Sequence, residues 1–130
     1  MSTAKMNPDV KAKWLEALRS GRYKQGRHVL KTKSGSFCCL GVLCHLAQKE
    51  GVVGRFRPSS IGEGYGIPVT DGDHNYVEDA GLPPAVAEWA GLDPESLTVA
   101  GYHLADLNDG AGGASRHSFA QIADEIEKHL

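Results

Sequence analysis

Three cysteines fall within seven residues, in Ser36-Phe37-Cys38-Cys39-Leu40-Gly41-Val42-Leu43-Cys44-His45. A thiol cluster at the start of an apolar helix, beside positive charge, suits a reactive centre, a metal site or plain core packing. A catalytic cysteine needs a lowered pKa, supplied by a helix N-terminus and a nearby histidine or cation. Cys38 meets the first condition if the helix begins at Ser36, whereas Cys39 faces the expected core. Upstream, Gln25 could donate to an oxyanion. Downstream, His103 with Asp106 or Asn108 could serve as base and orienter. The enzyme reading is therefore a cysteine-dependent hydrolase or transferase using Cys38, His103 and Asp106. No local signature of a cysteine-protease family surrounds Cys38. Free cysteines are also among the most buried residue types, which is the competing structural reading.

Metal binding fits the spacing poorly. Zinc sites favour Cys-x2–4-Cys pairs with a second pair further on. Here Cys39 and Cys44 are separated by four residues, with His45 adjacent. On a helix Cys38 and His45 lie two turns apart, about 10 Å along the axis, too far to share one ion. Asp71-Gly72-Asp73-His74-Asn75 has the composition of a cation loop but not the twelve-residue EF-hand pattern, and reads as a turn. No metal and no cofactor is expected.

Anion binding has the better case. Arg22, Lys24 and Arg27 offer forks and point charges for phosphate, and Tyr23 and Gln25 are interleaved with them. Tyr65, in the glycine-rich stretch Gly62-Glu63-Gly64-Tyr65-Gly66, supplies another ring. That stretch lacks the strand-turn-helix context of a dinucleotide site. Asn108 and Asp109, beside flexible glycines, could hold sugar hydroxyls or equally form a helix-end turn. The expected ligand-binding set is Arg22, Tyr23, Lys24, Gln25, Arg27, Tyr65, Asn108 and Asp109.

The charge distribution sharpens this reading. Residues 1–57 hold twelve Lys/Arg and three Asp/Glu, whereas residues 58–130 hold two and thirteen. Between Glu16 and Glu50 there is no acid at all. Either the first half meets an anionic partner, or the two halves neutralise each other in the fold or across a dimer. A formal net charge of −2 argues against a general nucleic-acid binder. No apolar run reaches the roughly 18 residues of a membrane-spanning helix, and no secretory leader opens the chain, so a cytoplasmic protein is expected. An odd cysteine count with two adjacent thiols disfavours a disulfide framework.

The elements that must position these residues follow from periodicity. Asn7-Pro8-Asp9 reads as a cap, an N1 proline and a first-turn acid. Val10, Trp14, Ala17 and Leu18 then form one stripe of a helix over about 8–20 that stops at Gly21. Arg27–Thr32 is a candidate strand, with Ser34-Gly35 as its turn. The segment from Cys38 to Lys49 predicts a helix capped by Ser36, with Cys39, Leu40, Val42, Leu43, Leu46 and Ala47 on one arc and Cys38 on the other face. Because of Gly41, a short strand over 37–42 remains an alternative. Residues 51–82 read as loops and short strands, in the manner of an irregular hairpin. Pro83-Pro84 opens a short helix with Val86 and Trp89, ended by Gly91. Asp93-Pro94-Glu95 starts another turn. Leu104 and Leu107 mark a further helical piece before Asn108-Asp109-Gly110 and the loop Ala111-Gly112-Gly113. Ser118 and Gln121 form a capping box for a helix over 119–129. The expectation is one α+β domain over residues 1–130, with four or five helices and a small irregular β element.

Four strings, Asn7-Pro8-Asp9-Val10-Lys11-Ala12-Lys13-Trp14, Phe37-Cys38-Cys39-Leu40-Gly41-Val42-Leu43-Cys44, Leu82-Pro83-Pro84…Trp89-Ala90-Gly91-Leu92 and Leu107-Asn108-Asp109…Ser118-Phe119-Ala120-Gln121-Ile122-Ala123-Asp124, together resemble a group of small proteins of unassigned activity. These are encoded by tailed phages, prophages and bacteria. The resemblance carries no catalytic residues. It implies a setting: a small accessory protein in the host-cell cytoplasm, dispensable for building the virion. By analogy of setting, phage proteins of this size sequester nucleotide signals of bacterial immunity, usually as homo-oligomers. The leading expectation is thus a non-enzymatic protein that captures a small anionic ligand, a nucleotide immune signal above all. The alternatives are the Cys38 enzyme and an inhibitor of a host enzyme whose acidic half mimics nucleic acid.

Overall fold

A computed structural model describes residues 6–59, 64–93, 97–99, 102–111, 113 and 115–130. The first helix, α1 (Pro8–Arg19), begins as its sequence dictates. The Asn7 side chain accepts from the amides of Asp9 and Val10, and Pro8 occupies the first turn. Val10, Trp14, Ala17 and Leu18 are its buried face. Ser20 closes the last turn onto Ala17, and Gly21 leaves it at φ 77°.

The second helix, α2 (Cys39–Lys49), carries the apolar arc inward, and Trp14 Nε1 donates to the Cys39 carbonyl at 3.0 Å. Its cap differs from expectation. Cys38, not Ser36, stands at the N-cap, and its sulfur accepts from the Gly41 amide at 3.3 Å. Gly41 lies within the helix because the chain crosses it there: a Cβ at that position would sit 1.8 Å from the Leu30 carbonyl oxygen. The alternative of a strand over 37–42 does not arise.

That crossing segment is not the strand expected over Arg27–Thr32. His28 adopts φ 72°, a left-handed conformation that breaks an extended run. The segment instead docks by single contacts. Leu30 N donates to Asp79 O, Cys38 N to Leu30 O and Tyr65 N to Lys31 O. Lys31 makes isolated bridges to Phe37 and Tyr65.

The glycine-rich middle forms a three-stranded antiparallel sheet of β1 (Arg57–Pro58), β2 (Tyr65–Asp71) and β3 (His74–Glu78), in that order. Ile67 anchors it in the core. Pro84 opens α3 (Pro84–Ala90), which ends at Gly91 with φ 72°. The pair β4 (Thr98–Val99) and β5 (Tyr102–His103) leads into α4 (Leu104–Asp109). Of the turn expected at Asp93-Pro94-Glu95 and the loop at 111–113, residues 94, 95 and 112 lie outside the described residues. Ser118 and Gln121 form the reciprocal capping box of α5 (Phe119–His129).

The result is the expected α+β architecture. α1 packs on α5 and α2, and α2 also meets α3 and α4. The three cysteines, Leu40, Leu43, Leu104, Ile122 and Ile126 fill the space between. Among the described residues no helix is long and apolar enough to cross a membrane.

Candidate functional site

The thiols are core. Cys38 is 4% exposed, and Cys39 and Cys44 are fully enclosed. Burial pushes the Cys38 thiol up to about 11 despite the amides of Gly41 and Leu40, and raises Cys39 and Cys44 well above the ordinary thiol range. Desolvation therefore outweighs the helix N-terminus on which the nucleophile reading rested. The proposed helpers have other employment. His103 Nδ1 accepts from the Ala105 amide and caps α4. Gln25 Nε2 donates to Asn108 Oδ1 and to the His117 carbonyl, so both its amide hydrogens are used. Asp106 lies in the first turn of α4, and no hydrogen bond among the described residues joins it to Cys38. The Gln25-Cys38-His103-Asp106 set is thus not assembled as a catalytic site. No group of three or more metal-ligating side chains is placed together among the described residues.

Asn108 is a hub of hydrogen bonds within the fold. It is fully buried. Its Nδ2 donates to the Gly26 carbonyl at 2.8 Å and to Asp109 Oδ1 at 2.9 Å. Its Oδ1 accepts from Gln25 Nε2 at 3.0 Å and from the Cys39 amide at 3.2 Å. That exhausts both hydrogens and both lone pairs. Asp109 also accepts from the His28 amide at 3.1 Å. Gln25, Asn108 and Asp109 therefore fasten the 25–28 loop to α4 and to the start of α2. All three, expected to meet a ligand, thus have partners within the fold.

The remaining expected residues divide between paired and unpaired cations. Arg19 meets Asp124 and Glu127 at 2.8 Å each, Lys13 meets Glu50 at 3.4 Å, and Arg22 meets Glu16 at 3.5 Å. Part of the charge asymmetry is thus neutralised within the fold, chiefly across α1 and α5. Lys24, Arg27, Lys31, Lys33, Lys49, Arg55 and Arg57 form no ion pair among the described residues.

One of these cations, Lys31, stands over an aromatic cluster. Lys31 Nζ stands 5.5 Å from the ring centroid of Phe37, 5.3 Å from Phe56 and 5.6 Å from Tyr65. Phe37 meets Tyr23 edge-on at 5.2 Å, Phe56 at 5.9 Å and the His45 ring at 5.7 Å. Tyr23 and Tyr65 are thus linked through Phe37 and Lys31. Burial raises the Tyr23 hydroxyl above its ordinary pKa, with Arg22 opposing. Burial lowers His45, and Lys49 and Lys31 add to that. Tyr23 Oη and His45 Nδ1 share a hydrogen bond at 2.5 Å, with the donor set by the tautomer of His45.

This face combines buried and partly buried rings with one ammonium, Lys31, that forms no ion pair among the described residues. Its chemistry is stacking plus anion attraction. The sequence reading missed Lys31, Phe37, His45 and Phe56. The signal lay in the alternation Arg55-Phe56-Arg57 and in the acid-free run holding Lys31.

A separate groove of about 520 Å3 lies between the hairpin and α3, lined by Val52, Val53, Pro68, Val69, Tyr76 and Pro84 among others. It is mainly apolar and contains none of the expected ligand-binding residues.

No curated protein and no solved structure matches the chain. The family model described as Domain of unknown function (DUF8296) matches residues 6–130, which span every element of the fold and the whole aromatic–basic face. The chain belongs to that family.

Proposed function

We propose that this protein binds, without catalysis, a small ligand carrying both phosphate and an aromatic base, with Lys31 as the anchoring cation. One observation carries the reading: the Lys31 ammonium is held among three rings and forms no ion pair among the described residues. Its ring contacts are worth about 0.5–2 kcal/mol and leave it without an anion among the described residues. An incoming phosphate supplies the missing anion. Arg55 and Arg57 neighbour Phe56 in the chain, and Lys24 neighbours Tyr23. The bases of a nucleotide would stack on Tyr23, Phe56 or Tyr65. In the phage setting that the sequence resemblance implies, the ligand is a nucleotide immune signal and the action is sequestration in the host cytoplasm.

Thermal unfolding in the presence of a panel of mono-, di- and cyclic nucleotides tests this, with inorganic phosphate as the control. A saturable rise in melting temperature with at least one nucleotide, exceeding that from phosphate, supports the reading. Equal effects of every nucleotide and phosphate would refute a base-recognising site.

A further inference from the structure

The cluster that holds Lys31 also holds a group able to change its charge near neutral pH. The His45 ring lies 5.7 Å from Phe37 and 5.4 Å from Tyr23, and its Nδ1 is bonded to Tyr23 Oη at 2.5 Å. Lys31 Nζ meets the same Phe37 ring at 5.5 Å. The His45 side chain makes no other hydrogen bond among the described residues, so its second ring nitrogen is unengaged there. Three titratable groups bear on this imidazole: Tyr23 from the loop after α1, Lys31 from the segment that crosses α2, and Lys49 one turn further along α2. None is a carboxylate. The helices packed against α2, namely α1, α3 and α4, add no charge to it. An imidazolium here is partly desolvated and repelled by two ammonium groups. Burial first, then Lys49 and Lys31, accordingly hold His45 below its ordinary pKa, and the ring is neutral in the free protein at neutral pH.

We propose that anion binding at Lys31 draws one proton from solvent onto His45, so that the site holds its ligand more tightly in acid. This rests on the ligand reading above and adds its regulation. A phosphate beside Lys31 offsets the repulsion that Lys31 exerts on His45 and adds an attraction of its own. The His45 pKa then rises, and a proton that binds with the anion favours the anion in turn. Affinity therefore rises as pH falls through the His45 pKa of the complex, and levels off below that of the free protein. Tyr23 accommodates the change. Burial raises its pKa, so its hydroxyl keeps its hydrogen, and a phenol oxygen can accept from Nδ1–H of an imidazolium. The second N–H of the charged ring is then available to the ligand.

The NMR signal of the His45 ring Cε1–H, assigned by its loss in His45→Gln, reads this protonation directly. It is titrated in the full-length wild type and in Lys31→Met, each alone and with sulfate or a cyclic dinucleotide. Sodium chloride at equal ionic strength is the control for screening. In the wild type alone the midpoint is expected below the ordinary 6.5. It is expected to rise in Lys31→Met, and in the wild type with either anion. Wild-type affinity for that anion, by calorimetry, is expected about 3-fold to 10-fold higher at about pH 5.5 than at about pH 8, a ratio that His45→Gln loses. An equal midpoint in the wild type and folded Lys31→Met overturns the coupling and leaves the ligand reading standing. So does an anion that binds without moving the midpoint. A midpoint that responds to Lys31→Met while neither anion binds defeats the ligand reading, and the proton coupling falls with it.

Discussion

The ammonium of Lys31 stands 5.3 Å from the centre of the Phe56 ring, though the two residues are 25 positions apart and on separate loops. Phe56 contributes both packing and charge compensation. Phe56→Ala is expected to lower stability by about 1–3 kcal/mol, since the ring is only partly buried. Phe56→Leu should recover the packing share but not the cation–π share. Urea unfolding of the three proteins measures both, and equal stability for Phe56→Leu and wild type would remove the ring's electrostatic role.

Asn108 ties four backbone and side-chain groups together without access to water. Asn108→Ala leaves the Gly26 carbonyl and the Cys39 amide without that partner, each at about 1–3 kcal/mol. A loss of about 3 kcal/mol or more in denaturant unfolding is expected. A loss under about 1 kcal/mol would mean that the hub is not what fastens the 25–28 loop.

Gly41 offers a test of sign. In an ordinary helix Gly→Ala stabilises by about 1 kcal/mol. Here the new methyl would lie 1.8 Å from the Leu30 carbonyl oxygen, with backbone on both sides of the clash. Gly41→Ala is expected to destabilise by about 2 kcal/mol or more in urea unfolding. A stabilised variant would show that the chain does not cross α2 there.

The Cys38 thiol links stability to alkaline pH. Its native pKa is raised from the ordinary 9.0 to about 11, chiefly by burial. Within that window the native state keeps a proton that the unfolded chain has lost, so stability is full below about pH 9 and falls as pH rises toward 11. Cys38 alone accounts for roughly 3 kcal/mol of that fall. Cys38→Ser retains an N-cap acceptor and removes the titrating thiol. It should flatten the slope of stability between about pH 8 and about pH 10.5. An unchanged slope would contradict the assignment. For the same reason, iodoacetamide should label none of the three thiols at neutral pH until the protein is unfolded.

The helices were legible because their signals are local. Asn7-Pro8 and Ser118…Gln121 cap α1 and α5 as their side chains dictate, and the stripe from Val10 to Leu18 is the buried face. The start of α2 was misplaced because a cysteine sulfur fills a role usually given to a hydroxyl. The expected strand over 27–32 failed for a non-local reason. That segment is fixed by Gly41, Asp79 and Asp109, and His28 takes the φ that this docking requires.

The site was half legible in the same way. Tyr23, Tyr65 and the nearby cations were identifiable from composition and interleaving. The cluster that joins them draws on residues 23, 31, 37, 45, 56 and 65, and no spacing rule relates these positions. Asn108 and Asp109 were identified as polar groups of consequence, but their partners lie in a distant loop that sequence periodicity does not reveal.

Calorimetric titration of Lys31→Met against wild type, using the nucleotide that most raises the melting temperature, tests the central claim most directly. Methionine keeps an apolar stem among the rings and removes the charge. The account predicts a loss of about 10-fold to 100-fold in affinity, the worth of one charge-assisted phosphate contact, in a variant that remains folded. Unchanged affinity in the folded variant would contradict it.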